Sequence, residues 1–164
     1  MAWRRRPFAC LALETDKQKV NVPEHGIDYS QISDNIFIGT NMCCQLDFDK
    51  ELLSKGIEAD ISLEEDRSDT PFGVNFYLWL PTKDQTSPTK EQTKVGIEAI
   101  KNLVDLNKKI YLHCKNGHGR APTLFAAYLI KEEGMKPEEA IEFIKNKRPV
   151  VHLSEAQIKF LKSI

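Results

Sequence analysis

The stretch that most constrains the fold is KKIYLHCKNGHGRAPTLFAAYLI, residues 108–130, where two apolar runs flank a loop containing two glycines. KKIYLHC (108–114) is too short and too apolar for anything but a buried strand. PTLFAAYLI (122–130) is apolar on nearly every side, and a helix of that kind belongs at the centre of a domain. A buried strand that turns directly into a buried helix is the repeating unit of sheets covered on both faces.

Upstream, strand and helix patterns alternate. SDNIFIGT (33–40) alternates apolar and polar residues and ends in Gly-Thr, as a half-buried strand does. DFDKELLSKGI (47–57) puts Phe48, Leu52 and Leu53 on one helical face and closes at Gly56. A second short strand is expected from Ala59 to Leu63, running into an acidic loop, and a third within NFYLWLP (75–81). SPTKEQTKVGIEAIKNLVDLN (87–107) opens on Ser87 as a cap with Pro88 in the first turn. It carries Val95, Ile97, Ile100, Leu103, Val104 and Leu106 at helical spacing. KPEEAIEFIKNKR (136–148) and SEAQIKFLKSI (154–164), the latter capped by Ser154, supply two closing helices. This order predicts an α/β fold with a central, mostly parallel sheet flanked by helices on both faces. One domain is expected over residues 23–164, preceded by an arm at 1–22 that is either flexible or an extra element.

Charge narrows the partners. Lys plus Arg number 23 and Asp plus Glu 24, so no net field gathers a polyanion, and nucleic acid is not expected as a partner. No apolar run approaches the roughly 20 residues of a membrane-spanning helix. MAWRRRPFACLALE has the charged-then-apolar order of a signal peptide, but it reaches Glu14 and Asp16 without a convincing cleavage site, so secretion is not expected. Cys10, Cys43, Cys44 and Cys114 show no metal-ligand spacing with His25, His113, His118 and His152, and no structural metal is expected. The adjacent Cys43 and Cys44 read as two half-buried thiols, which suits a reducing cytoplasm.

The loop HCKNGHGR (113–120) carries the chemistry. Loops from the carboxyl end of a buried strand to the start of a helix are where open α/β sheets bind ligands. Gly117 and Gly119 let the backbone bend so that N–H groups from Lys115 through Asn116 and His118 to Arg120 point into one cavity. Those donors and the positive end of the following helix form an anion site. The same field favours a thiolate at Cys114, and Arg120 can fork across two phosphate oxygens.

On His113, Cys114, Gly117 and Arg120, in the order H-C-x-x-G-x-x-R, the chain resembles the cysteine-dependent protein tyrosine phosphatase superfamily. Its short length resembles the dual-specificity branch, over most of residues 30–163. The resemblance implies a two-step reaction through a cysteinyl-phosphate, with a general acid on an aspartate about thirty residues before the cysteine. Asp84, in LPTKDQTSP, stands thirty positions before Cys114 and lies in a polar turn that could swing over the cavity. Asp60, Asp66 and Asp69 are weaker candidates; Asp60 lies inside a strand pattern and the other two in a loop that could flank the pocket mouth. His113 is expected to hydrogen-bond the loop backbone and help hold the thiolate. Gln157 is either a pocket residue that orients the hydrolytic water or a solvated helix residue.

The family usually carries Ser or Thr directly after the arginine, whereas this chain has Ala121. Thr123 lies about 200° round the helix from it and does not simply substitute. Lys115 and His118 make the loop unusually basic, a partial likeness to phosphoinositide-directed relatives. The substrate expected is therefore a phosphorylated protein, or alternatively a phosphoinositide or other small phosphomonoester. A catalytically retired domain that only binds phosphorylated partners is the reading from another class. No metal or cofactor is expected, because thiolate, arginine and backbone donors already supply activation and charge stabilisation.

Overall fold

Among the described residues, five strands form one sheet in the order β1-β2-β5-β3-β4. The computed structural model describes residues 27–44 and 47–164. The N-terminal arm, its signal-like stretch, Cys10 and His25 lie outside the described residues. The strands are β1 (Tyr29–Gln31), β2 (Ile36–Gly39), β3 (Ile57–Ser62), β4 (Phe76–Trp79) and β5 (Lys109–His113). β2, β5, β3 and β4 run parallel, and β1 alone pairs antiparallel, with β2. Sequence patterning missed β1, a three-residue edge strand too short to display an alternation. The helices are α1 (Lys50–Ser54), α2 (Lys90–Asp105), α3 (Arg120–Glu132), α4 (Pro137–Lys147) and α5 (Glu155–Lys162).

Strand alternation divides the core in two. Ile36 and Ile38 of β2, Ala59 and Ile61 of β3, and Ile110 and Leu112 of β5 enter the larger core, under α2 to α5. Phe37, Ile57 and Tyr111 enter a smaller one on the opposite face, with Cys43, Cys44, Phe48 and Leu52. Ile57 and Ala59 share parity yet sit in different cores because a bulge lies between them. The central helix α3 is buried from Arg120 to Leu129, as its all-round apolar sequence requires. It packs tightly on α2: a Cβ added at Gly96 would lie 2.7 Å from Leu124 Cδ1.

Helix boundaries depart from expectation where side chains cap. The helix expected over 47–57 is shortened to α1 because the Asp49 carboxylate accepts from Leu52 N–H at 3.0 Å and fixes its start. For α2 the cap is Thr89 rather than Ser87, closed by a reciprocal pair with Gln92. Val95 and Leu106, which share the helical spacing, are exposed and lie off its core face. Among the described residues no helix is long and apolar enough to cross a membrane.

Candidate active site

Residues 114–120 leave the end of β5 and curl into the start of α3, and the carbonyls of residues 115–119 are drawn outward. Lys115 O accepts from Asn41 N–H at 3.2 Å. Asn116 O and Gly117 O accept from Arg148 Nη2 and Nε at 3.3 and 3.1 Å. His118 O accepts from His152 N–H at 3.1 Å, and Gly119 O from Thr123 N–H and Oγ1 at 2.9 and 2.8 Å. In a trans peptide the next N–H points opposite to the carbonyl. The amides of Asn116, Gly117, His118, Gly119 and Arg120 therefore face inward, around Cys114.

Gly117 makes this curl possible. Its φ is +65°, and a Cβ there would stand 2.4 Å from the carbonyl oxygen of Gly39, against which the loop is pressed. The cavity of about 70 Å³ is lined by Cys114, Lys115, Asn116, His118, Gly119 and Arg120 of the loop, together with Asp84, Gln85, His152 and Gln157. Its size suits a single phosphoryl group.

Arg120 is buried and anchored by one edge. Its Nη1 donates to Thr82 O at 2.9 Å and Leu63 O at 3.2 Å and lies 3.5 Å from Glu64 Oε1. Glu64 is itself fixed by Asn41 Nδ2 at 2.8 Å. Nε has no hydrogen-bond partner among the described residues and lies 3.5 Å from Asp84 Oδ1. The guanidinium thus keeps its Nε edge for a ligand.

Asp84 already stands at the cavity rather than on a turn that must swing over it. Its N–H donates to Glu65 Oε1 at 2.8 Å, and the turn closes through Thr86 N–H to Lys83 O at 3.1 Å. Two bonds stitch the turn to the start of α5: Ser154 Oγ donates to Gln85 O at 2.7 Å and Gln157 Nε2 to Thr86 O at 2.9 Å. Gln157 is accordingly buried, not solvated. Its Oε1 accepts from Ser154 N–H at 2.9 Å, so the carboxamide is committed to joining helix and turn while its edge lines the cavity.

His113 is a correction. Its side chain is fully buried and lies outside the cavity lining, because strand alternation sends it to the opposite sheet face from Leu112 and Cys114. Nε2 lies 3.2 Å from Asp60 Oδ1, 3.5 Å from Asp69 Oδ2 and 3.5 Å from Cys44 Sγ. Asp69 is buried beside it, away from the pocket mouth. Burial alone would lower the imidazole pKa, but the Asp60 carboxylate outweighs it and holds His113 well above its ordinary value. Cys43 and Cys44 are fully buried rather than half-buried. Gly117 likewise shapes the loop from behind and lies outside the cavity lining.

Arg148, Glu64 and His152 escaped the sequence reading. Arg148 sits at the end of α4, 1% exposed, and besides two loop carbonyls it grips Asp28 through Nη1 and Nη2 at 3.2 and 2.8 Å. His152 packs its ring 5.1 Å from that of His118 at the cavity mouth. Burial, then the neighbouring His152 and Arg148, hold the His118 pKa below the usual imidazole value.

A cavity ringed by inward amides, with a cysteine at its floor and an arginine beside it, defines a cysteine-based phosphate site, and the chain belongs to the dual specificity phosphatase family. The family's catalytic-domain model matches residues 36–164. The human phosphatidylglycerophosphatase and protein-tyrosine phosphatase 1 is 36% identical over 52% of this chain, a match that spans 43% of the human protein. The mouse protein of the same name is 29% identical over 94% of this chain and 85% of its own length. The crystal structure of PTPMT1 superposes with a TM-score of 0.70 at 26% identity, covering 83% of this chain and 92% of that one.

Proposed function

We propose that the chain hydrolyses phosphomonoesters through a cysteinyl-phosphate. The observation that carries this is the outward anchoring of five consecutive carbonyls, which aims five amides at the space above Cys114. Amides and the free edge of Arg120 bind the three non-bridging oxygens and concentrate charge stabilisation where it develops. The Cys114 sulfur attacks phosphorus, forming the S–P bond as the P–O bond to the leaving group breaks, and Asp84 delivers its proton to that oxygen. Water then attacks phosphorus, Asp84 takes its proton, and phosphate leaves with the thiolate restored. The retired-domain reading is disfavoured by the presence of nucleophile, arginine and acid at one cavity.

For substrate, a phosphorylated anionic lipid headgroup is placed first. Lys115 adds a cation to the cavity lining, and His118 and His152 add polar ring nitrogens beside it, more than a single phosphotyrosine requires. PTPMT1 has been crystallised with PI(5)P, and the human and mouse relatives carry phosphatidylglycerophosphatase in their names. A phosphoprotein is the second reading. It draws on the family and on the tyrosine-protein phosphatase yvh1 of Schizosaccharomyces pombe, 31% identical over 84% of this chain. Parallel turnover of a phosphoinositide in mixed micelles, a phosphotyrosyl peptide and an aryl phosphate separates them. Lys115→Gln with His118→Gln should lower kcat/KM on the lipid roughly tenfold, the worth of about one lost ion contact. It should leave the aryl phosphate within about twofold of wild type. Equal losses on all three substrates would overturn the lipid assignment. The thiol nucleophile suits a reducing compartment, for which the cytoplasm is proposed; imaging of a tagged chain tests it.

Asp84→Asn should lower kcat on an alkyl phosphate by about 10²–10⁴-fold, the usual worth of a general acid. It should cost much less on a nitrophenyl ester, whose leaving oxygen needs no proton. A uniform loss across leaving groups would assign Asp84 to binding instead.

Thr123 does not replace the hydroxyl missing at Ala121, since its Oγ1 is bonded to Gly119 O. Rapid mixing with an aryl phosphate is therefore expected to give a burst of phenol followed by slower turnover, and Ala121→Ser to accelerate the second phase. A linear trace unaffected by the substitution would show that dephosphorylation is not limiting.

A further inference from the structure

We propose that Cys43, Cys44, His113 and Asp60 form a structural site for one divalent metal, zinc by its donor set, on the sheet face opposite α3. Sequence spacing hides it because the donors come from three segments: a 3-10 turn after β2 (Asn41–Cys44), the middle of β3 and the end of β5. Every donor residue is at most 1% exposed. One atom from each of Cys43, Cys44 and His113 lies within 4.8 Å of the others. Asp60 Oδ1 stands 3.2 Å from His113 Nε2 and Cys44 Sγ 3.5 Å from the same nitrogen.

The independent sign of a ligand is Asp60. Among the described residues neither oxygen of its buried carboxylate makes an aligned hydrogen bond, and the His113 imidazole lies 3.2 Å from Oδ1. Buried carboxylates are almost always paired, hydrogen-bonded or bound to metal. Besides His113 itself, Arg67 approaches this region, reaching Asp69 at 3.6 Å from a side chain that is 41% exposed.

Two thiolates, an imidazole and a carboxylate make a tetrahedral zinc set. Bond lengths of about 2.0–2.3 Å place donors roughly 3.3–3.8 Å apart in such a site. The imidazole-to-thiol and imidazole-to-carboxylate spacings are already close to this. The two sulfurs, 2.7 Å apart, must part by about 1 Å, and the Asp60 carboxylate, outside the 4.8 Å group that the sulfurs and the imidazole form, must turn towards them. Binding takes both sulfurs as thiolates and the imidazole as the neutral base, so whatever protons the three carry beforehand are released to solvent. Asp69, whose Oδ2 is held by Ser62 Oγ at 2.8 Å, lies 3.5 Å from the same Nε2 and adds a second acidic group on the donor side of the imidazole.

The full chain carrying Cys114→Ser, which removes the reactive thiol, tests this. Expressed with zinc, it should hold about one zinc per chain by elemental mass spectrometry. Cobalt(II) exchanged into it should show a thiolate-to-metal charge-transfer band. Both signals should fall at least tenfold when Cys44→Ser or Asp60→Asn is added, and zinc should raise Tm by about 5–10 °C, reversed by chelator. The parent protein decides the matter even if an added substitution fails to fold. Absence of metal and band from the parent, a Cys43–Cys44 disulfide found by peptide mass mapping, or retention of the band in both folded variants would each overturn the proposal.

Discussion

Cys114→Ser is expected to lower steady-state turnover of an aryl phosphate by at least about 10⁴-fold, within the range that loss of a nucleophile costs other covalent enzymes. The reason is chemical rather than structural. Serine fits the position of a buried cysteine and leaves the bonds to all five outward carbonyls untouched, because none involves the Cys114 side chain. Tungstate should therefore bind the variant within a few-fold of wild type, as titration calorimetry can show. Loss of tungstate binding together with turnover would mean that the thiol organises the cavity, whereas retained turnover would remove Cys114 from the mechanism.

Arg148→Met carries the second largest expected effect, although Arg148 touches no reacting atom. Its partners divide into an exposed one and buried ones. Asp28 is 60% exposed, so its ion pair is screened and contributes at most about 1 kcal/mol. Gly117 O and Asn116 O lose their donor on the inner side of the protein, at about 1–3 kcal/mol each. The carbonyls dominate. Denaturant melts should show a loss of roughly 3–5 kcal/mol. In the variant that remains folded, kcat/KM should fall about 10²-fold or more as the freed peptides turn their oxygens inward. Arg148→Lys should rescue little, because an ammonium cannot reach two carbonyls and a carboxylate from one plane. Asp28→Asn should stay within about 1 kcal/mol of wild type. If Asp28→Asn matched Arg148→Met, the ion pair and not the loop would be the stabilising element.

The residues that were legible in the sequence are those whose roles are local. Cys114, Gly117, Gly119 and Arg120 lie within seven positions, and a buried strand running into a buried helix forces them into one turn. Asp84 was readable because β4 ends just before it. His113 was misread, although the signal was present: along KIYLHC, side chains alternate, so His113 must share the face of Tyr111 and not that of Cys114. Gln157 held a similar clue, since Ser154 followed three residues later by Gln is a capping box that commits the carboxamide. Arg148 and Asp28 could not be read this way. They are 120 positions apart and meet only because β1 folds back along β2 at the sheet edge beside the loop. Composition records that such residues exist, and only the fold determines which of them meet.

The stitching of the Asp84 turn to α5 has a consequence for how substrates are chosen. Ser154 and Gln157 grip the turn from one side, Glu65 from another, and His152 holds the phosphate loop from the same C-terminal segment. Acid and anion cradle are thus fixed to a common brace, and their spacing does not wait on an arriving molecule. A slot gauged in advance needs no loop to close before reaction, and what it accepts is set by whether a phosphate can meet both ends at once.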